Sequence, residues 1–518
     1  MTKYSCDTAS ETLEWIKAIA DFIKPFSFLI NAYVVNFFKD RLWEAVDEDW
    51  LQCLTNEPVE NLLLIPSGVF QDHWPASLKE FVLTLKSLVY PREQADLKKK
   101  KHEVEVLSAI VGSVASSVRA DAVIDVGAGQ GYLAQVLAFE YQHSVVAIDA
   151  CSHHGKVTNA RAERIKKHYM AQMRKLGSGK KRLNVPQTIT CNIMSLETLK
   201  SLTTLSQHEA DVEQPKSIEQ DLELGSAGNG KCEEVRAVIS IGCCYNLLSE
   251  EGFENAHIQY GYPMSCGVRS ASLSLGKSSR DLACQSAERW KSLGKDAGLL
   301  NFELHAFRAA FQMVLHKYFP EVGTSPSIGR QGKALRRKQQ RNIIESELRA
   351  EESTSDLPQR ACNMDKACSI IQSRESEAAD PSGVRLDMDA LFNKMSLHAG
   401  SRCEGTLSSD KYSLFEKFCE SGLCRLGLKP SNDINFHDIW KEVEPYVNLI
   451  GVYWSLRAAF GPLLETLILL DRLLFLQEQG GKLEAVMLPI FDPAISPRNV
   501  AIIAKKLDAG LVSCHGSR

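Results

Sequence analysis

No Cys-x-x-Cys pair occurs in this chain, although it holds 15 cysteines in 518 residues. Structural zinc sites are built from closely spaced ligand pairs. The nearest approaches, Cys243-Cys244, Cys362/Cys368 and Cys419/Cys424, do not supply that spacing, so no metal is expected. Scattered cysteines of this kind fit reduced thiols in a cytoplasmic or nuclear setting. The opening MTKYSCDTASETLEW lacks the charged-then-apolar order of a secretory signal. A long uncharged run is missing too. The most hydrophobic stretch, Leu449–Leu476, carries Arg457, Glu465, Asp471 and Arg472 and is broken by Gly461-Pro462. A spanning helix needs about 20 largely uncharged residues, so core helices and no membrane contact are expected. The net charge of −4 gives no global pull toward nucleic acid, and any such binding needs a local patch. There is no internal repeat.

What is present is periodic. Residues 1–118 read as an N-terminal helical domain. Glu11–Ile23 repeats apolar residues at helical spacing. In WPASLKEFVLTLKSLVYP, Pro75 suits a first helical position and Pro91 stops the run. From Asp121 the period changes. AVIDV, SVVAIDA, QTITCNI and VRAVISIG read as buried strands, with helices at YLAQVLAFEY and Ala160–Lys175 between the first three. This alternation predicts a parallel sheet covered by helices. Leu282–Phe319, Trp454–Phe460 and Leu463–Gln479 are expected as helices. LEAVMLPIFDPAISPRNVAIIAKK predicts an antiparallel hairpin at the sheet edge. The stretch 206–234 reads as a polar linker inside a core of 119–323. Residues 324–409, poor in aromatics, read as a largely disordered insertion, and 410–507 complete the core.

The first strand ends in VIDVGAGQGYLA. A glycine-rich turn between strand and helix aims main-chain N–H groups and a helix N-terminus at one spot, with no Cβ in the way. Gly127, Gly129 and Gly131 give G-x-G-x-G, with Tyr132 where a dinucleotide fingerprint has its third glycine. Asp125 closes the first strand, Asp149 closes the second, and Asn192 follows the third. The spacing disfavours a nicotinamide cofactor.

This version of the turn resembles the first motif of S-adenosylmethionine-dependent methyltransferases. The resemblance implies that the turn meets the amino-acid end of S-adenosylmethionine and that Asp125 orients it. Asp149 would then accept the ribose hydroxyls and Asn192 the adenine edge. The wider chain resembles the methyltransferase-like protein 25 family, including its ribosomal RNA adenine dimethylase domain-containing relatives, and its plant members most. The residues that carry this are IPSGV, WPASLKEFV, KKHEVE, VIDVGAGQGYLA, ISIGCCYNLLSEE, GYPMS, LACQSAERW, ETLILLDRLLFL and FDPAISPRNVAIIAKK. It implies a Rossmann-like methyltransferase sheet and an intracellular transferase. One departure stands out. Relatives carry a strand like LHxCGDL before the GCCY strand, where this chain has only the polar 206–234. Two functions follow from this: an S-adenosylmethionine-dependent methyltransferase, or a methyltransferase-fold scaffold that no longer catalyses.

Cys243, Cys244, Tyr245 and Asn246 end the fourth strand, where open α/β sheets place their sites. A cysteine there can be the nucleophile of a pyrimidine methyltransferase. The competing reading is a cysteine packed in the core and a tyrosine lining the pocket. The Asp/Asn-Pro-Pro-aromatic motif of amino-methyltransferases is absent. Arg330–Arg341 and Lys98–Lys101 are basic runs without interleaved aromatics, readable as solvated faces or as RNA phosphate contacts. The substrate class, RNA or protein, stays open.

Overall fold

The computed structural model describes residues 4–92, 99–175, 183–191, 235–242, 244–248, 261–322, 407–428 and 433–507. Asn192, Cys243, the linker 206–234, the run 330–341 and all but the last few residues of the 324–409 insertion lie outside them.

The chain forms two compact units, one of residues 1–22, 87–275 and 463–518 and the other of residues 23–86 and 276–462. The first holds every described strand. Helix α1 (Ala9–Ile23) starts it, and α2 (Lys99–Ser117) leads into β1 (Val123–Val126). Then follow α3 (Tyr132–Phe139), β2 (Val145–Asp149), α4 (Ser152–Lys175), β3 (Gln187–Thr190) and β4 (Ala237–Ile241). Helix α5 (Phe460–Gln477) and strands β5 (Leu483–Pro489) and β6 (Val500–Lys506) complete it.

The expected single sheet is, among the described residues, two three-stranded sheets. Strands β1-β2-β3 run parallel, with Val123 opposite Val145 and Asp149 opposite Thr190. The second sheet has the order β4-β6-β5 and is antiparallel throughout. The predicted hairpin is thus present, but its last strand lies between β4 and β5. β1 and β4 each have a ladder partner on one side only among the described residues. Val126 and Val238 are more than half exposed, unlike the interior of a complete parallel sheet.

Helix α2 serves both sheets. Its Val114 packs with Ile490, Phe491, Ala501 and Ile503, and its Val111 packs with Ala134, Leu137 and Val145. Helix α4 begins at Ser152, earlier than the expected Ala160, because Gly155 does not break it. Pro462 falls in the first turn of α5, where a missing N–H costs nothing.

In the second unit, the expected helix over Leu282–Phe319 is divided into Lys277–Ala283, Ala287–Lys291 and Lys295–Tyr318. The last buries Ala306, Phe307, Ala310 and Phe311 completely. Arg457 donates to the carbonyls of Leu29 and Ile30 at 3.0 and 3.3 Å and so satisfies the end of helix Ser27–Ile30.

Helix α5 pins the GYPMS turn. Asp471, fully buried, accepts from Met264 N (2.8 Å), Ser265 N (2.9 Å) and Ser265 Oγ (2.8 Å), while Arg472 donates to the Gly261 carbonyl at 3.1 Å. Leaving these donors without an acceptor costs about 1–3 kcal/mol each. Asp471→Ala is therefore expected to lower stability by about 3 kcal/mol in urea unfolding followed by circular dichroism, and Asp471→Asn by less. An unchanged Asp471→Ala midpoint would show that the turn does not depend on this carboxylate.

Candidate functional site

The three glycines have different reasons to be glycine. All take positive φ, at 75° for Gly127, 55° for Gly129 and 69° for Gly131, a region that disfavours side chains. A Cβ on Gly127 or Gly129 would meet nothing within 4 Å, so the turn faces open space there. A Cβ on Gly131 would collide with Thr158 of α4. Gly131 is thus the packing glycine at the start of α3, and the other two form the open crest.

Asp149 ties this crest to the second strand. Its Oδ2 accepts from Gly129 N at 2.9 Å, and its Oδ1 accepts from Cys151 N at 2.8 Å. His154 Nδ1 lies 3.0 Å from Oδ1 and carries the proton, since an ionised carboxylate only accepts. The N–H groups of Gly127 and Ala128 both point to the Ile148 carbonyl, at 2.8 and 3.0 Å. Burial alone would raise the Asp149 carboxyl. The bonds from Cys151, Gly129 and His154 outweigh it and hold the group below the usual carboxylate range.

Asp125 has the opposite environment. It is mostly buried, and its Oδ2 has no hydrogen-bond partner among the described residues. Burial first, and the Asp149 charge second, push its carboxyl up to about 6. Two neighbouring strand-end acids are thus driven apart: one is firmly ionised and the other is held ready to take a partner.

The structure brings Asp125, Gly127, Gly129, Gly131 and Asp149 together at the ends of β1 and β2. Cys244, Tyr245 and Asn246 follow β4 in the other sheet. Cys244 is exposed, whereas Tyr245 is buried and donates to Glu465 Oε1 at 3.1 Å. Its ring folds back over Gly242, where a Cβ would come within 2.7 Å of it. Burial and then the Glu465 charge raise the phenol well above its ordinary value, so Tyr245 stays protonated and cannot serve as a base at neutral pH.

Sequence reasoning missed three helix residues at the crest. His154, Thr158 and Arg161 share one face of α4, at i, i+4 and i+7. Arg161 donates to the Gln130 carbonyl at 2.7 Å and stacks over the Tyr132 ring at 4.0 Å. The spacing was visible, but only to a reading that starts the helix at Ser152.

Residues 99–251 match the family model for a methyltransferase domain. The glycine turn, both acids and the GCCYN segment all fall inside that domain. The chain is also similar to "Probable methyltransferase-like protein 25" of Mus musculus, 26% identical over 289 residues, which is 54% of this chain and 34% of that protein. The Homo sapiens protein of the same name is 26% identical over 283 residues, 53% of this chain and 33% of that protein. The resemblance to methyltransferase-like protein 25 read from the motifs therefore holds, over about half of this chain and a third of these relatives, while the mouse and human proteins do not bear on the likeness to plant members. No solved structure matches. Among the described residues, no group of three or more His, Cys, Asp or Glu can hold a metal, and no helix is long and apolar enough to cross a membrane.

Two outcomes test this site without any ligand. Gly129→Ala is expected to cost the fold about 1–2 kcal/mol for its left-handed backbone, and Gly131→Ala more, because the clash with Thr158 adds to it. Equal losses in chemical denaturation would contradict the distinction. The carboxyl of Asp125 is raised in the folded state, so it favours folding at low pH, and that advantage is lost as pH rises from about 4 to about 6. Asp125→Asn removes this penalty and is expected to be more stable at pH 7 by roughly 1–3 kcal/mol, with a flatter stability–pH curve over that window. A variant less stable at pH 7 would mean that Asp125 has a partner in the free protein.

Proposed function

We propose that this chain is an S-adenosylmethionine-dependent methyltransferase with its cofactor laid across the Gly127–Gly131 turn. The observation that carries the reading is the union of an open glycine crest with the Asp149 carboxylate through Gly129 N–H at 2.9 Å. The residues present fit such a group. The buried, unpartnered Oδ2 of Asp125 asks for a donor, which the amino end of the cofactor or a water on it offers. Asp149 has two oxygens and about four acceptor positions, three of them filled from within the chain. Ribose hydroxyls would take the remaining one and compete with the His154 contact. Asn192 is the candidate for the adenine edge.

When bound, S-adenosylmethionine supplies an electrophilic methyl group on a sulfonium. The protein's task is alignment, which contributes as much as roughly 7–11 kcal/mol to such a displacement. Asp125 and Asp149 fix one end of that alignment. The segment Cys243–Asn246, at the end of β4, is assigned to the acceptor side. Within it Tyr245 acts as a fixed wall, because its hydroxyl is already committed to Glu465. The substrate is RNA or protein.

Isothermal calorimetry is expected to show micromolar S-adenosylmethionine binding that disappears in Asp149→Ala and weakens in the folded Gly129→Ala. The methyl acceptor is then found by transferring labelled methyl groups into cell extract and treating the product with RNase or protease. A folded wild-type chain that binds no cofactor ends the proposal. Binding without transfer into any fraction removes the enzyme and leaves a binding protein.

A further inference from the structure

The two oxygens of Asp149 are not equally open. Oδ2 accepts from Gly129 N at 2.9 Å and keeps one acceptor position. Oδ1 has both of its positions filled, by Cys151 N at 2.8 Å and by His154 Nδ1 at 3.0 Å. One hydroxyl fits this carboxylate as it stands. A vicinal cis-diol sets one hydroxyl on each oxygen and so needs a position on Oδ1 as well. The Asp149 side chain is 19% exposed, so solvent reaches it. Its three donors differ in how easily they leave. The Gly129 N–H is set by a crest whose backbone is left-handed at this residue, and the Cys151 N–H by the main chain between β2 and α4. His154 alone reaches Asp149 with a side chain, and that side chain is 37% exposed. Rotation about its χ1 carries the ring into water while its main-chain N–H stays on the Cys151 carbonyl at 3.0 Å. The imidazole then exchanges one bond to Asp149 for bonds to solvent.

We infer that His154 is a displaceable stopper on Asp149: its ring stands where one hydroxyl of a ribonucleoside cis-diol binds, and capture of such a ligand swings it out. The inference rests on the methyltransferase reading for the identity of the ligand, and it names the residue that controls entry to that same site. With the ring in place, the free chain keeps its carboxylate matched by its own donors. Part of the interaction with a diol then goes into breaking that internal bond. A chain without the ring therefore binds a diol more tightly. A nucleoside without ribose hydroxyls has no need of Oδ1, so the ring makes no difference to it.

Ligand-observed NMR titrations of the full chain with adenosine and with 2′,3′-dideoxyadenosine test this, beside calorimetry with S-adenosylmethionine on the same preparations. His154→Ala is expected to bind adenosine about tenfold more tightly than the wild-type chain, and the dideoxy compound within about twofold of it. Alanine is a strong helix former, so α4 tolerates the change. His154→Asn returns a short amide donor to the place of Nδ1 and is expected to return the adenosine affinity toward the wild-type value. A gain confined to the diol is not what a general loosening of the crest produces. An adenosine affinity that is unchanged or weaker in His154→Ala, or an equal gain for the dideoxy compound, overturns the inference. If S-adenosylmethionine still binds in that case, the methyltransferase reading stands without the stopper. A diol-specific gain in the alanine variant, with no S-adenosylmethionine binding to either protein, keeps the stopper and removes the methyltransferase reading. No binding of any of these compounds to either protein overturns both.

Discussion

The shared carboxylate of Asp149 is the constraint on which the crest depends. One side chain at the tip of β2 holds a main-chain N–H from the preceding strand–helix turn and another from the start of the following helix. That single group converts two connections into one surface. It explains why the half-buried Gly129 stays placed on an open crest, and why α4 begins three residues after the strand ends. It also sets the ionisation of its neighbour: a firmly charged Asp149 helps to keep Asp125 reluctant to ionise. A free chain that carries such a penalty stores an affinity for whatever relieves it.

A second hub lies on α5. Glu465 and Asp471 are both fully embedded, and each is consumed by groups from distant parts of the chain. Glu465 gathers Tyr245, Arg92 and Arg498. Asp471 gathers Met264 and Ser265. Charges inside an otherwise leucine-rich helix look like faults in a core pattern, yet here each fixes one segment with little secondary structure of its own. Buried ions of this kind do little for net stability and much for the choice of a single arrangement.

Much of this was legible in the sequence, and the limits have physical causes. The four strands from Val123 to Ile241 and the final hairpin were readable because short β-branched runs flanked by glycine, proline and polar residues have few alternatives. Asp125, Asp149 and the glycines were readable because a strand end is a fixed place in a sheet. The start of α4 was missed because a glycine at 155 weakens the helical pattern, although the helix runs through it and a Cβ there would make only ordinary contact with Thr188 and Thr190. The division of Leu282–Phe319 was hidden by continuous helical periodicity, because its breaks are set by serine and glycine caps at Ser286 and Gly294. The Glu465 cluster could not be read at all. Its members stand at positions 92, 245, 465 and 498, and only the tertiary fold brings such distant residues together.

The strand made last sits in the middle of its sheet. Among the described residues, β4 and β5 are not paired with each other, and both pair with residues 500–506. On the ribosome, that half of the domain stays open until residues 500–506 have been made. A message cut short before Val500 yields a product with two bare strand borders, which marks truncated copies for clearance by proteases.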